Sequence, residues 1–173
     1  MRTHRLLPVA LALVAGACSD EPAAPLDPVA ELAAQVRNTT AAYASADAAA
    51  ADGFVVVSPC VATEAGGMGF HYLLESRLDD VVVDTAPELL LYAPAADGEL
   101  ELVGVEYMVL APAWDAVNAT PPTLLGNTFA DHRAEEDRHG LPFPHYDLHF
   151  WTGRDNPSGI WEPYNPAVSC PSS

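Results

Sequence analysis

The segment from Leu100 to Val109 restricts the fold more than any other part of the chain, because it alternates like a β-strand and is apolar on both faces. One face carries Leu100, Leu102, Gly104, Glu106 and Met108, and the other carries Val103, Val105, Tyr107 and Val109. A strand of this kind is expected in the centre of a sheet that is covered on both sides. The preceding Asp97-Gly98 is a hairpin signal, so we expect the apolar run Glu88–Tyr92 to be an antiparallel neighbour.

The beginning of the domain has the pattern of a helix. Asp27 and Pro28 supply an N-cap and a first helical residue, and apolar residues continue at helical spacing until Asp52-Gly53. Further strand signals lie at Phe54–Val57 and His145–Trp151, and no helices alternate with the strands. The sequence therefore predicts an α+β fold in which one long N-terminal helix packs on an antiparallel, barrel-like sheet with long irregular loops.

Two segments are predicted to lack regular structure. Three glycines between Gly66 and Gly69 predict a glycine-rich turn, with special backbone angles or the close approach of another segment. No Gly-Lys-Ser/Thr follows this turn, so it is not a phosphate loop. The charged run Asp131–His139 is interpreted as a solvated loop.

The first residues of the chain have the pattern of a secretory signal. Arg2 and Arg5 precede a short apolar run over residues 6–14, which is well below the roughly 20 apolar residues of a membrane span. The small residues Ala15-Gly16-Ala17 and then Cys18 resemble the lipobox of bacterial lipoproteins. We therefore expect a signal peptide over 1–17, a lipid-anchor tether over 18–27 and a single globular domain over 28–173.

The number of cysteines agrees with a lipid on Cys18. The chain has three cysteines, and an odd thiol is unusual in a mature secreted protein. If Cys18 carries a lipid, Cys60 and Cys170 remain as one disulfide pair. The expected location is the cell envelope, on its periplasmic or outer-surface side. The alternative is a soluble secreted protein with a free amino-terminal thiol.

The charge of the chain excludes one class of partner. Lysine and arginine together number 7 against 24 acidic residues, and the formal net charge is −17. Nucleic-acid binding depends on basic residues that neutralise phosphates, so nucleic acid is not an expected partner. The same acidity argues against electrostatic docking on anionic lipid, which leaves the lipid anchor as the contact with the membrane. The sequence indicates no particular protein partner.

The segment from His145 to Trp151 contains the residues most suited to chemistry. On a strand, His145, Asp147 and His149 share one face, but His145 and His149 are then about 13 Å apart and cannot bind one ion together. The candidate partners on other strands are His71 and Glu106. We expect His71, Glu106 and His149 as ligands of a transition metal ion, with His145 or Asp147 in support. Imidazole and carboxylate together suit Zn, Cu, Fe or Mn.

Two alternatives use the same residues differently. The first is a small-molecule binding module without metal, with aromatic walls and the turn at Gly66–Gly69. The second is an envelope interaction protein whose histidines are purely structural. The sequence contains no Gly-x-Ser-x-Gly nucleophile elbow and leaves open whether the protein is an enzyme.

Several short segments together resemble a family of uncharacterised bacterial exported proteins. They are Gly66-Gly67-Met68-Gly69-Phe70-His71-Tyr72, Val105-Glu106-Tyr107, His145-Tyr146-Asp147-Leu148-His149-Phe150-Trp151, Asn156-Pro157-Ser158-Gly159 and Asn165-Pro166-Ala167-Val168-Ser169-Cys170. The resemblance extends from about Leu32 to Cys170. It implies that these segments belong to one fold unit, and it implies no activity.

Overall fold

The computed structural model describes residues 27–134, 136 and 141–171. The predicted signal peptide and Cys18, as well as nearly all of the tether, lie outside these residues. None of the helices that the structure describes has both the length and the apolar character needed to cross a bilayer.

The described residues form an α+β fold, as the sequence predicts. The helices are α1 (Pro28–Thr39), α2 (Ala46–Ala51) and α3 (Ala111–Asp115), with short 3-10 turns at Ala41–Tyr43 and Glu75–Arg77. The strands are β1 (Val55–Val56), β2 (Val61–Thr63), β3 (Gly66–Leu73), β4 (Leu89–Pro94), β5 (Leu100–Leu110), β6 (Thr123–Leu124), β7 (Asn127–Thr128), β8 (Ala130–His132) and β9 (His145–Phe150).

Seven strands form one antiparallel sheet that stays open. Its order is β1-β3-β4-β5-β9-β8, and β2 pairs with another part of β3. β5 lies between β4 and β9, which confirms its central position. The expected closure toward a barrel is wrong, since the edge strands β1 and β8 contain only 2 and 3 residues and do not pair with each other.

The long N-terminal helix is also wrong, because the chain turns between α1 and α2. Thr40 follows α1, and its hydroxyl donates a hydrogen bond of 2.8 Å to the carbonyl of Val36. Ser45 then caps α2 by accepting a hydrogen bond from the amide of Ala48, and it forms an isolated β-bridge with Glu101. Hydroxyl side chains of this kind compete with the helical backbone for hydrogen bonds, and an alanine-rich apolar pattern does not reveal the break.

The glycine-rich segment is a strand rather than the predicted turn. A Cβ atom on Gly66 would lie 2.4 Å from the backbone of Asn165, and one on Gly69 would lie 2.3 Å from the carbonyl oxygen of Tyr92. Gly66 has φ +127° and Gly69 has φ +91°. The expectation of special backbone angles and a closely approaching segment is therefore confirmed, although these features occur within β3.

The two faces of the sheet differ in character. One face packs against α1 and α2 in the main hydrophobic core, to which Tyr92, Val105, Tyr107, Tyr146, Leu148 and Phe150 contribute. The opposite face carries buried histidines and carboxylates. Two smaller apolar clusters lie on either side of this polar group, one around Trp151 and Val168 and the other around Leu89 and Met108.

The C-terminal tail is fixed next to the polar face. Asn165 and Gly67 exchange backbone hydrogen bonds of 3.0 and 3.1 Å, and Val168 contacts Gly67. Cys60 and Cys170 form the predicted disulfide, with their Cα atoms 5.6 Å apart. The covalent bond and the bridge together hold the tail against β3.

Candidate metal centre

Three strands each contribute one side chain to a buried group, which we call the first centre. His71 comes from β3, Glu106 from β5 and His149 from β9. Glu106 is directly opposite His149 in the antiparallel register, whereas His71 reaches Glu106 across the intervening strand β4. Because side chains alternate between the two faces along each strand, all three lie on the polar face of the sheet.

The donor atoms of the first centre are close together and almost inaccessible to solvent. His71 Nε2 is 3.4 Å from Glu106 Oε2, and His149 Nε2 is 3.9 Å from the same oxygen. One ligand atom from each residue lies within 4.8 Å of the other two. Glu106 is 2% exposed and His149 is 4% exposed, so water does little to solvate either group.

These separations are typical of ligands around an ion. Tetrahedral coordination with bonds of about 2.1 Å puts neighbouring donor atoms about 3.4 Å apart. Direct hydrogen bonds between nitrogen and oxygen are shorter, usually about 2.7–3.2 Å. Glu106 Oε2 is moreover a buried atom that makes no hydrogen bond within the described residues. The spacing therefore fits a cation held between the side chains better than it fits direct contact.

Ser58 orients the ring of His71. Ser58 Oγ lies 3.0 Å from the carbonyl oxygen of Pro59 and 2.7 Å from His71 Nδ1. When the hydroxyl donates to that carbonyl, its oxygen accepts the proton of Nδ1. Neutral His71 then directs the lone pair of Nε2 toward Glu106, as a metal-binding histidine does.

Electrostatics also favour a cation at Glu106. Burial raises the pKa of the Glu106 carboxyl well above its usual range, and the neighbouring carboxylates of Asp147 and Glu88 raise the pKa further. Without a cation, the carboxyl group is therefore driven toward its neutral form. A bound metal ion would compensate the negative charge and keep the carboxylate available as a ligand.

His145 and Asp147, the supporting residues in the sequence-based prediction, belong to a second group. Their partner is His132 of β8, and the three donor atoms again lie within 4.8 Å of one another. The sequence did not group His132 with His145 and Asp147, because His132 lies at the start of a charged run that was interpreted as a solvated loop. The pairing of β8 with β9, which brings His132 opposite His145, is not visible in the local sequence pattern.

A cavity connects the two groups. It has a volume of about 20 Å³, counted as the space that the centre of a water molecule can occupy. The polar residues that line it are Ser58, His71, Glu106, His145, Asp147 and His149. Pockets for small organic ligands usually measure about 300–1,000 Å³, so this cavity is suited to an ion or a water molecule.

Comparisons with protein-family models, curated proteins and solved structures gave no match to this chain. The function of the site is therefore inferred from its own residues.

Proposed function

We propose that the protein is an exported, lipid-anchored protein of the cell envelope that binds a transition metal ion through His71, Glu106 and His149. One observation carries the metal-binding part of this proposal. Three buried donor side chains from three different strands bring their ligand atoms within 4.8 Å of one another. An interior position of this kind is costly for polar groups unless a partner compensates them.

The composition of the first centre defines the class of ion. Two imidazoles and one carboxylate suit Zn, Fe, Mn or Cu. Three protein ligands leave at least one coordination position for water or substrate, which distinguishes catalytic zinc sites from closed structural ones. The ion would supply Lewis acidity at that position. Ser58 would hold the ring of His71 in the orientation that directs Nε2 toward the ion.

Metal analysis of two matched variants tests the binding site. The exported protein is extracted in detergent without a histidine tag, dialysed and analysed for transition metals. We expect wild type to retain metal and Glu106→Gln to lose the ion of the first centre, because the amide is a poor ligand. Glu64→Gln makes the same chemical change at an exposed residue and should retain the wild-type metal content. Equal metal content in all three proteins, or none in wild type after reloading, would overturn the proposal.

The location in the envelope is supported by the signal-like first 17 residues and by the cysteines. The disulfide between Cys60 and Cys170 is typical of an oxidising compartment and leaves Cys18 as the third cysteine. We expect the wild-type protein to partition into the detergent phase and a Cys18→Ser variant not to. Retention of the predicted signal peptide on the purified wild-type chain, detected by mass spectrometry, would contradict this part of the proposal.

A further inference from the structure

The second group has the same construction as the first centre. His132 Nε2 is 3.3 Å from Asp147 Oδ2, and His145 Nε2 is 3.6 Å from the same oxygen. His132 and His145 are directly opposite in the register of β8 and β9, and their rings stack with centroids 5.1 Å apart. Both Nε2 atoms therefore approach one carboxylate oxygen from adjacent strands, as His71 and His149 approach Glu106.

The tautomer of His145 is determined by the backbone. Its Nδ1 lies 3.1 Å from the carbonyl oxygen of Phe143, which can only accept a hydrogen bond. Nδ1 therefore carries a proton, and in the neutral ring the lone pair of Nε2 is directed toward Asp147. In that state two lone pairs face each other, and a metal ion held between Nε2 and Asp147 Oδ2 would stabilise the arrangement. A hydrogen bond from Nδ1 to a backbone carbonyl is the usual support of a metal-binding histidine.

The two groups are adjacent on the sheet. Asp147 and His149 are two residues apart on β9 and therefore on the same face, and Asp147 is opposite Met108 while His149 is opposite Glu106. The carboxyl groups of Glu106 and Asp147 interact with each other, and both line the cavity of about 20 Å³. The two carboxylates thus lie between one pair of histidines and the other.

The two buried carboxylates each belong to a separate group of donor atoms. Glu106 is 2% exposed and Asp147 is 5% exposed, and two adjacent carboxylates in such a position repel each other. Within the described residues, the ion-pair partners of both carboxylates are histidines. One ion in each group would give each carboxylate its own cation and would use all four histidines as ligands.

We propose that His132, His145 and Asp147 bind a second transition metal ion beside the first, so that the protein contains a dinuclear centre. This inference rests on the proposed function, because the first ion is the one held by His71, Glu106 and His149. Dinuclear sites in enzymes hold their ions about 3.5–4 Å apart and can acidify a water molecule between them. The cavity lined by both groups has room for such a water molecule.

Titration of the metal-free exported protein with Co²⁺ and Mn²⁺ tests the inference. We expect wild type to bind 2 equivalents of Co²⁺, in agreement with two three-residue groups. His132→Gln and His71→Gln should each bind one equivalent fewer than wild type. With Mn²⁺, wild type should give an exchange-coupled electron paramagnetic resonance spectrum, whereas each variant should give the spectrum of an isolated ion.

The outcomes separate this inference from the proposed function. If wild type binds one ion that is lost in His71→Gln and retained in His132→Gln, the first centre stands and the dinuclear inference is wrong. If wild type binds one ion that is lost only in His132→Gln, both proposals are wrong. Two ions without exchange coupling would also overturn the dinuclear centre. Near-ultraviolet circular dichroism checks the folding of the variants, and the wild-type Mn²⁺ spectrum decides the question if His132→Gln does not fold.

Discussion

At Glu106, burial and the proposed metal binding would have opposite effects on the stability of the charged carboxylate. The carboxyl group lies in the interior, where burial and the charge of Asp147 raise its pKa. The metal-free protein must therefore either protonate this residue or hold a poorly solvated charge, and both cost free energy at neutral pH. A residue that destabilises the metal-free fold in this way is expected at a functional site.

Glu106→Gln should consequently increase the stability of the metal-free protein while abolishing binding at the first centre. The neutral amide removes the cost of protonation, so we expect the free energy of unfolding at pH 7 to rise by about 1–3 kcal/mol. Urea denaturation in the presence of a chelator measures this change, with exposed Glu64→Gln as the control. A clear loss of stability in Glu106→Gln would instead show that the carboxylate and its histidines are a structural hydrogen-bonded group.

Glu88 provides a pH-dependent contribution to stability. It is 2% exposed and accepts a hydrogen bond of 2.9 Å from the amide of Met108. Burial raises the pKa of Glu88 to about 7, from an ordinary value of 4.5. The folded state then binds a proton more tightly than the unfolded state, so stability from this group is fully present below about pH 4.5 and is lost as the pH rises toward 7.

Glu88→Gln should remove this pH dependence, because the amide oxygen can still accept the hydrogen bond from Met108 and the side chain does not ionise. We expect the variant to match wild type near pH 4.5 and to be more stable by up to about 3 kcal/mol above pH 7. The measurement is the difference in unfolding free energy between the two proteins, followed from pH 4.5 to 8 in chelator. A difference that does not change with pH would show that Glu88 ionises normally.

At the scale of elements, the glycines of β3 determine whether this strand can pack against its neighbours. Gly69 and Gly98 both have positive φ, +91° and +88°. A Cβ atom would lie 2.3 Å from the carbonyl oxygen of Tyr92 at Gly69, but it would have no neighbour within 4 Å at Gly98. The two positions therefore share the backbone strain of an alanine substitution and differ in the space around it.

Gly69→Ala should destabilise the protein more than Gly98→Ala. The common backbone strain costs about 1–2 kcal/mol, and the clash with β4 should add about 1–3 kcal/mol at Gly69 alone. Denaturant midpoints of the two variants measure the difference. Equal losses of stability in the two variants would mean that β3 and β4 can move apart at little cost in free energy and that the packing of Gly69 is unimportant.

The elements that could be predicted from sequence are those whose pattern is local. β4, β5 and β9 were identified because apolar alternation and the hairpin signal at Asp97-Gly98 are properties of neighbouring residues. β3 was missed because its glycines are required by Asn165 and Tyr92, which are distant in the sequence. The same reason applies to the site: the sequence grouped His149 with His71 and Glu106, but it did not separate His145 and Asp147 from that group. Only the pairing of β8 with β9 shows that His132 lies beside His145 and Asp147.

At the scale of the whole molecule, the disulfide is the main covalent restraint on the fold. Cys60 and Cys170 are separated by 110 positions, so their bond closes a loop that contains most of the described domain. In the chain-entropy treatment, a loop of this length is worth about 4–5 kcal/mol, and measured values are often lower. The bond also holds the tail that contacts β3 through Asn165.

Replacement of both cysteines by alanine, Cys60→Ala with Cys170→Ala, should lower the free energy of unfolding by about 2–4 kcal/mol. The tail should also become more sensitive to proteolysis, because only noncovalent contacts, such as those of Asn165, Ala167 and Val168, then hold it. Urea unfolding with and without reductant measures the effect. Wild type should respond to reductant and the double variant should not, and a wild type that is insensitive to reductant would contradict the role of the disulfide.

The position of the polar cavity has a consequence for the rate at which an ion is released. The cavity of about 20 Å³ is lined mostly by buried side chains, so an ion held there would be poorly accessible to a chelator. Release then depends on local opening of the protein. Above a moderate chelator concentration the release rate should become constant, and cleavage of the disulfide should raise that limit. The protein would thus retain its metal through a kinetic barrier, even in surroundings where competing ligands bind the ion more tightly.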